Sequence, residues 1–255
     1  MCSTTLIGIP LQTERGNVAT NSLLYKKQIA INDKIHIVIP SLGEVIDQED
    51  EYYAMVTMLT AMPIDLLVQL DDMGIDFTEI SEYELFLMTF GGIKRMDTHL
   101  IFGDLDISNF QLGINEQNNE PVMIDVEKDI TIDQATQVLI ADAIRKIHHL
   151  EKNNRKPAND EAKDFLLKRE RRKQKQRKKE NDTSSLETLI VAMVNTEQFK
   201  YNYETIKELS IYQFNESVRQ IIKKVDYDNR MYGVYAGTVS AKDLDKNDLN
   251  WLIHK

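Results

Sequence analysis

Asp104, Asn109 and Asp125 come nearest to a set of residues that could do chemistry. An aspartate, four intervening residues and an asparagine, with a second aspartate further on, is the spacing of a phosphoryl-transfer loop. Asp104 would accept the proton of the substrate hydroxyl, and Asn109 and Asp125 would hold magnesium. The context opposes this. Phe102 stands where such loops carry a histidine, and no glycine-rich phosphate loop lies upstream. The upstream hairpin is too short for a nucleotide lobe, and only Lys26, Lys27 and Lys34 are available as its lysine. A hairpin bounded by polar turns accounts for the same residues.

Other chemistries fare worse. Asp104, Asp106 and Ser108 begin like a calcium loop, but Asn109 replaces the required glycine and Asn115 the bidentate glutamate. His148 and His149 are adjacent, so on a helix they point about 100° apart and cannot share a metal. Near a helix C-terminus they suit its dipole instead. His36, His99 and His254 are isolated, and Cys2 is the only cysteine, which excludes a zinc set and an internal disulfide and fits a reducing compartment. No nucleophile elbow, P-loop or dinucleotide fingerprint is present. The expectation is a non-enzymatic protein with no cofactor and no metal.

Charge is the strongest signal. Residues 151–180 hold 13 Lys/Arg against 6 Asp/Glu, so the other 225 residues carry −17 of the net −10. The run 168–179 comprises Lys168, Arg169, Glu170, Arg171, Arg172, Lys173, Gln174, Lys175, Gln176, Arg177, Lys178 and Lys179. It has no apolar stripe to bury and is rich in helix formers, which predicts an exposed linker helix over 155–180 with few core contacts. No aromatic residue interleaves it, so base stacking is absent and nucleic acid is the weaker candidate partner. An acidic protein surface is the other, and this chain's own acidic surface could serve.

The elements around these residues can be read from pattern. Strands at 28–31 and 34–39 flank Asn32-Asp33 as a two-residue turn, with Ile35, Ile37 and Ile39 on one face. Ser41 and Glu44 form a capping-box pattern. Three helices follow within 41–90: one through 51–62, on Tyr53, Val56, Met58 and Leu59; one opened by Pro63 and ended by Gly74; and one capped by Ser81 and broken by Gly91-Gly92. Short strands are expected at 100–102, 110–114, 121–126 and 130–132. A long helix then runs from Asp133, with Ile140, Ala143, Ile147 and Leu150 in register. Two more stripes lie near the C-terminus: Leu186, Leu189, Ile190 and Met193; and Ile211, Phe214, Val218, Ile221 and Val225. Six of the ten tyrosines fall between Tyr201 and Tyr235. The reading is an α+β fold: an irregular arm (1–24), an α+β body (25–153), a basic helical linker (154–185) and an all-helical C-terminal module (186–255). The N-terminus lacks a signal-peptide pattern, and no apolar run reaches membrane-spanning length.

The hairpin leading into SLGEVIDQEDEYYAMVTML, then DDMGIDFTEISEYELFLMTF, and the C-terminal IYQFNESVRQIIKKVDYDNRMYGVYAG resemble tail-module proteins of phages and prophages of low-GC Gram-positive bacteria. The class suggested is a tail assembly chaperone or a minor tail protein. The resemblance implies a protein that binds other tail components, such as the tape measure, tail tube or baseplate. It would act in the host cytoplasm during assembly or remain in the virion tail as a structural subunit. Ile211, Tyr212, Phe214, Val218, Ile221, Tyr232 and Tyr235 are the expected partner-binding residues, since Tyr-rich apolar helix faces favour interfaces. The basic run 168–179 is not a hallmark of short tail chaperones.

Overall fold

The computed structural model describes residues 22–115, 118–177, 185–245 and 248–252. It is an α+β protein with two small antiparallel sheets. The first is a hairpin of β1 (Gln28–Ala30) and β2 (His36–Val38), paired Gln28 to Val38. Ile35, Ile37 and Ile39 are buried as their alternation requires. The connection is longer than two residues. Residues 31–35 form a loop built on the Asn32 side chain, which accepts from the Lys34 and Ile35 amides. An asparagine that closes its own turn in this way relieves the backbone of the strain of a two-residue turn.

After Pro40 come α1 (Leu42–Asp47) and α2 (Glu49–Thr60). Ser41 and Glu44 make the reciprocal capping box that the sequence suggested. α2 begins and ends two residues earlier than expected. Its inward residues are Tyr52, Met55, Val56 and Leu59, so Tyr53 and Met58 sit at the margin of the stripe. Pro63 opens a 3-10 turn leading into α3 (Leu67–Asp72), and Gly74, at φ +73°, follows it. α4 (Glu82–Ile93) is capped by Ser81 and passes straight through Gly91 and Gly92. A glycine pair weakens a helix by about 1 kcal/mol per residue, and here Phe90 and Ile93, both buried, hold the last turn in place.

The segment expected as a strand at 100–102 is instead a short helix, α5 (His99–Phe102). Leu100, Ile101 and Phe102 are all buried. A continuous apolar triplet carries no period, so pattern alone cannot separate strand from helix. Gly103, at φ +59°, turns the chain away. β3 (Gln111–Ile114), β4 (Pro121–Asp125) and β5 (Ile130–Ile132) then form a meander in the order β3-β4-β5. α6 (Gln134–His148), capped by Asp133, buries Ile140, Ala143, Ile144 and Ile147. It ends at His149 in the left-handed region, which leaves Leu150 exposed.

Beyond residue 150 lie α7 (Asp160–Arg177), α8 (Ser185–Val194) and the 25-residue α9 (Ile211–Tyr235). One apolar core runs from Leu23 to Val218. It holds Ile37, Val45, Phe86, Phe110 and Ile144 together with Leu186, Ile190, Phe199, Ile211 and Phe214. The backbone is stitched at the same junction. The Leu42 amide donates to the Leu209 carbonyl at 2.7 Å and the Ile211 amide to the Pro40 carbonyl at 2.9 Å. Ser41 and Ser210 face each other across this bridge, and each is the capping serine of its own helix. Among the described residues no helix is long and apolar enough to cross a membrane.

Candidate interaction surfaces

The phosphoryl-transfer residues are dispersed among separate structural duties. Asp104 is exposed, in the loop between α5 and a 3-10 turn at Ile107–Asn109. The Asn109 side chain donates to Asp106 at 3.2 Å, and Asp106 caps the same turn through the Ser108 amide. Asp125 is buried at the end of β4, where its Oδ1 accepts from the Glu127 and Lys128 amides and shapes the turn into β5. Among the described residues no group of three or more His, Cys, Asp or Glu is placed to hold a metal.

The histidine pair belongs to packing. His148 Nε2 lies 2.9 Å from the buried Tyr52 hydroxyl. Burial, with a smaller contribution from adjacent His149, pushes the His148 pKa down to about 4, so it is neutral near pH 7. His149 faces Glu216 and Arg219 of α9. His99 pairs with Asp97 at 2.9 Å. Cys2 and His254 lie outside the described residues.

Sequence reasoning missed a buried ion network. Glu82, at the start of α4, takes Arg145 of α6 on one oxygen and Lys152 on the other. Arg145 also donates to the Thr60 carbonyl at 2.7 Å and to Asp142 at 2.9 Å. Burial alone would raise the Glu82 pKa, but the hydrogen bonds from Lys152 and Arg145 outweigh it and the net shift is downward. Every charge is matched, so the network is a clamp joining α2, α4, α6 and the chain beyond α6. Nothing in a one-dimensional pattern marks residues 63 positions apart as a pair.

The basic helix is docked rather than free from Lys163 to Arg171. Leu167 is buried in a small second core with Leu67, Val68, Leu70 and Phe77. Arg171 donates to Asp71 at 2.7 Å and to Asp72 at 2.6 Å, and Lys163 pairs with Asp76. The Lys163 hydrogen bond, then those from Thr78, holds the Asp76 pKa down to about 2. Part of the acidic surface that α7 needs is therefore supplied by the C-terminal end of α3 and the loop after it. Lys168, Arg169, Arg172, Lys173 and Lys175 remain exposed, with Lys173 paired only to Glu170 within α7. The Arg177 side chain and all of Lys178 and Lys179 lie outside the described residues.

The seven expected partner-binding residues divide in two. Ile211, Tyr212, Phe214 and Val218 are buried in the chain's own core and have no surface to offer. The stripe that the sequence displays there docks on the body, as α9 crosses α6 and α1. Ile221 is half-buried, whereas Tyr232 and Tyr235 are 77% and 82% exposed. No described residue after Val218 is buried, so the last 17 residues of α9 form an arm about 25 Å long. Residues 236–245 and 248–252 fold back along it. The Gln220 side chain donates to the Trp251 carbonyl at 2.7 Å, Lys224 lies 5.8 Å from the Trp251 ring centre, and Arg230 pairs with Asp248.

The arm displays an exposed stripe in which Ile222 and Val225 join the expected Tyr232 and Tyr235. Ile222, Val225, Tyr232 and Tyr235 are spaced 3, 7 and 3 apart and are all exposed. Such spacing keeps them on one side of the helix. It was legible in principle, but the longer stripe from Ile211 to Val225 is stronger and masks it.

Residues 174–254 match the family model of the YomV second domain. That family is phage-derived, which is consistent with a phage protein. The YomV-like stretch takes in the end of α7, all of α8 and α9, and the returning tail. It thus includes both the buried stripe of α9 and the exposed one. No curated protein and no solved structure matches the chain.

Proposed function

We propose that this chain is a non-enzymatic phage tail-morphogenesis protein that works by binding other tail components. The observation that carries the reading is the arm: a helix continued well past its own core, with Ile222, Val225, Tyr232 and Tyr235 in one exposed stripe. An apolar stripe with tyrosines is the kind of surface a helix-in-groove contact uses. The YomV-like match over the same residues supports a phage setting. The resemblance to tail-module proteins supplies the tail assignment.

Co-expression with the candidate tape-measure, tail-tube and baseplate proteins, followed by size exclusion, tests it. A stable complex is expected, and Tyr232→Ala with Tyr235→Ala should weaken it by at least about tenfold, as removal of paired aromatic anchors does. Mass spectrometry of purified particles then separates an assembly factor, absent from the particle, from a structural subunit present in fixed ratio. Absence of any complex, in assembly intermediates and in particles alike, would overturn the reading.

A further inference from the structure

α7 has two unlike sides. On one, Lys163 and Arg171 are matched by Asp76, Asp71 and Asp72. On the other, α7 and residues 153–158 enclose a groove of about 700 Å³. That volume lies within the range of sites that hold a few ligand side chains. Ile64, Leu67, Pro157, Ala162, Phe165 and Leu166 give the groove an apolar lining, and Phe165 is 65% exposed. Arg155, Lys156, Arg169 and Lys173 also line it.

The two carboxylates in the lining already have partners. Asp65 accepts from the Asn153 side chain at 2.7 Å and from the Met62 amide at 2.9 Å. Glu170 pairs with Lys173 at 3.1 Å. Arg155, Lys156 and Arg169 are exposed and form no ion pair among the described residues. Three unmatched cations around an apolar floor are unusual in a chain of net charge −10, which has acids to spare.

We infer that this groove is a docking site for an acidic amphipathic segment of a partner protein. Carboxylates of the segment meet Arg155, Lys156 and Arg169, while its aliphatic side chains rest on Ile64, Phe165 and Leu166. Charge sets the choice of occupant. A polyanion such as nucleic acid would extend past the patch into the field of an acidic protein, and the lining offers a single aromatic ring for stacking. A short acidic segment neutralises the three cations without that penalty. The inference does not rest on the tail-morphogenesis reading, because its residues lie on α7, the 153–158 segment and the turn before α3 rather than on the arm.

The full chain is titrated, by fluorescence anisotropy, against a labelled synthetic peptide of about four helical turns with leucines on one stripe and glutamates flanking it. Control peptides carry glutamine for every glutamate, or serine for every leucine, and a labelled single-stranded oligonucleotide is run in parallel. The acidic amphipathic peptide should bind, both controls should bind at least about tenfold more weakly, and added salt should weaken the contact. Arg155→Gln, Lys156→Gln and Arg169→Gln together should weaken it about tenfold or more, since each exposed pair is worth up to a few-fold. Phe165→Ser should weaken it several-fold, with the melting temperature of both variants unchanged. Tyr232→Ala with Tyr235→Ala should leave it intact, which separates this site from the arm. Failure of the peptide to bind, equal binding by the triple variant, or tighter binding of the oligonucleotide would overturn the inference. So would a dimer of the chain itself that the triple variant abolishes, which would make a second copy the occupant.

Discussion

Glu82 and His148 set two separate acid limits on this protein. The Glu82 carboxylate is held below its ordinary pKa of 4.5 in the folded chain, so its contribution is complete above that value and erodes as pH falls through the lower folded value. Glu82→Gln leaves Arg145 and Lys152 without their shared partner, and a loss of about 3 kcal/mol in urea unfolding at neutral pH is expected, as for other broken buried pairs. His148 acts at higher pH. Its pKa falls from 6.5 to about 4 on folding, so the unfolded chain binds the extra proton between those values. Stability should therefore drop as pH falls from 6.5 to about 4, by roughly 3 kcal/mol in all. In His148→Gln that slope should vanish while the steeper loss below pH 4.5 remains. A variant that keeps the upper slope would assign it to another group.

At the scale of elements, α7 and α9 share a design: one end is fixed by packing and the other is presented to solvent. For α7 the fixed end depends on Leu167 and Arg171. Leu167→Ala should lower stability by about 2–3 kcal/mol, the usual range for a truncated buried leucine. Its effect on hydrogen exchange should concentrate in α7 and α3. Converting Lys168, Arg169, Arg172, Lys173 and Lys175 to glutamine should leave the melting temperature within error, because those cations make no contact with the core. A large loss there would mean that the outer face of α7 is structural. For α9 the return of the tail depends on Gly237, whose φ of +74° suits glycine, and on Gly233, where a Cβ would stand 2.9 Å from Val239 Cγ2. Gly237→Ala should cost about 1 kcal/mol and loosen residues 238–245 and 248–252, detected as faster amide exchange across the arm.

Across the whole molecule, residues from both halves of the sequence complete the main core. Leu186, Ile190, Met193, Phe199, Ile211 and Phe214 pack with Leu42, Val45 and Ile144, and the bridge between Ser41 and Ser210 seals the junction. A fragment ending at residue 177 would expose the body's half of that core. It should lack cooperative thermal unfolding and aggregate, whereas the full chain should unfold in one transition by both near- and far-UV circular dichroism. Two resolved transitions in the full chain would show the C-terminal helices folding on their own. The α9 arm and the groove beside α7 lie outside that core, and they are the surfaces proposed above for partners.

Much of this was determined by sequence through local physics. The capping boxes at Ser41, Ser81 and Ser210, the cap at Asp133, the alternation of Ile35, Ile37 and Ile39, and the turn glycine at Gly74 each depend on residues within one turn of each other. The α+β class follows from them. Where pattern was silent or two-sided, only the tertiary structure could decide. Leu100–Phe102 could be strand or helix by pattern, since a buried triplet has no period, and the folded chain makes it helix. Gly91 and Gly92 stayed helical because neighbours on the core face held them. The basic run divided its charges because Asp71 and Asp72 sit beside Arg171 in space. The stripe of α9 reads the same in sequence whether it meets a partner or the chain's own body. Burial of Ile211, Tyr212, Phe214 and Val218 needs α9's contact with α1 and α6, more than sixty positions away, beside nearer residues such as Phe199, and no local rule contains that distance.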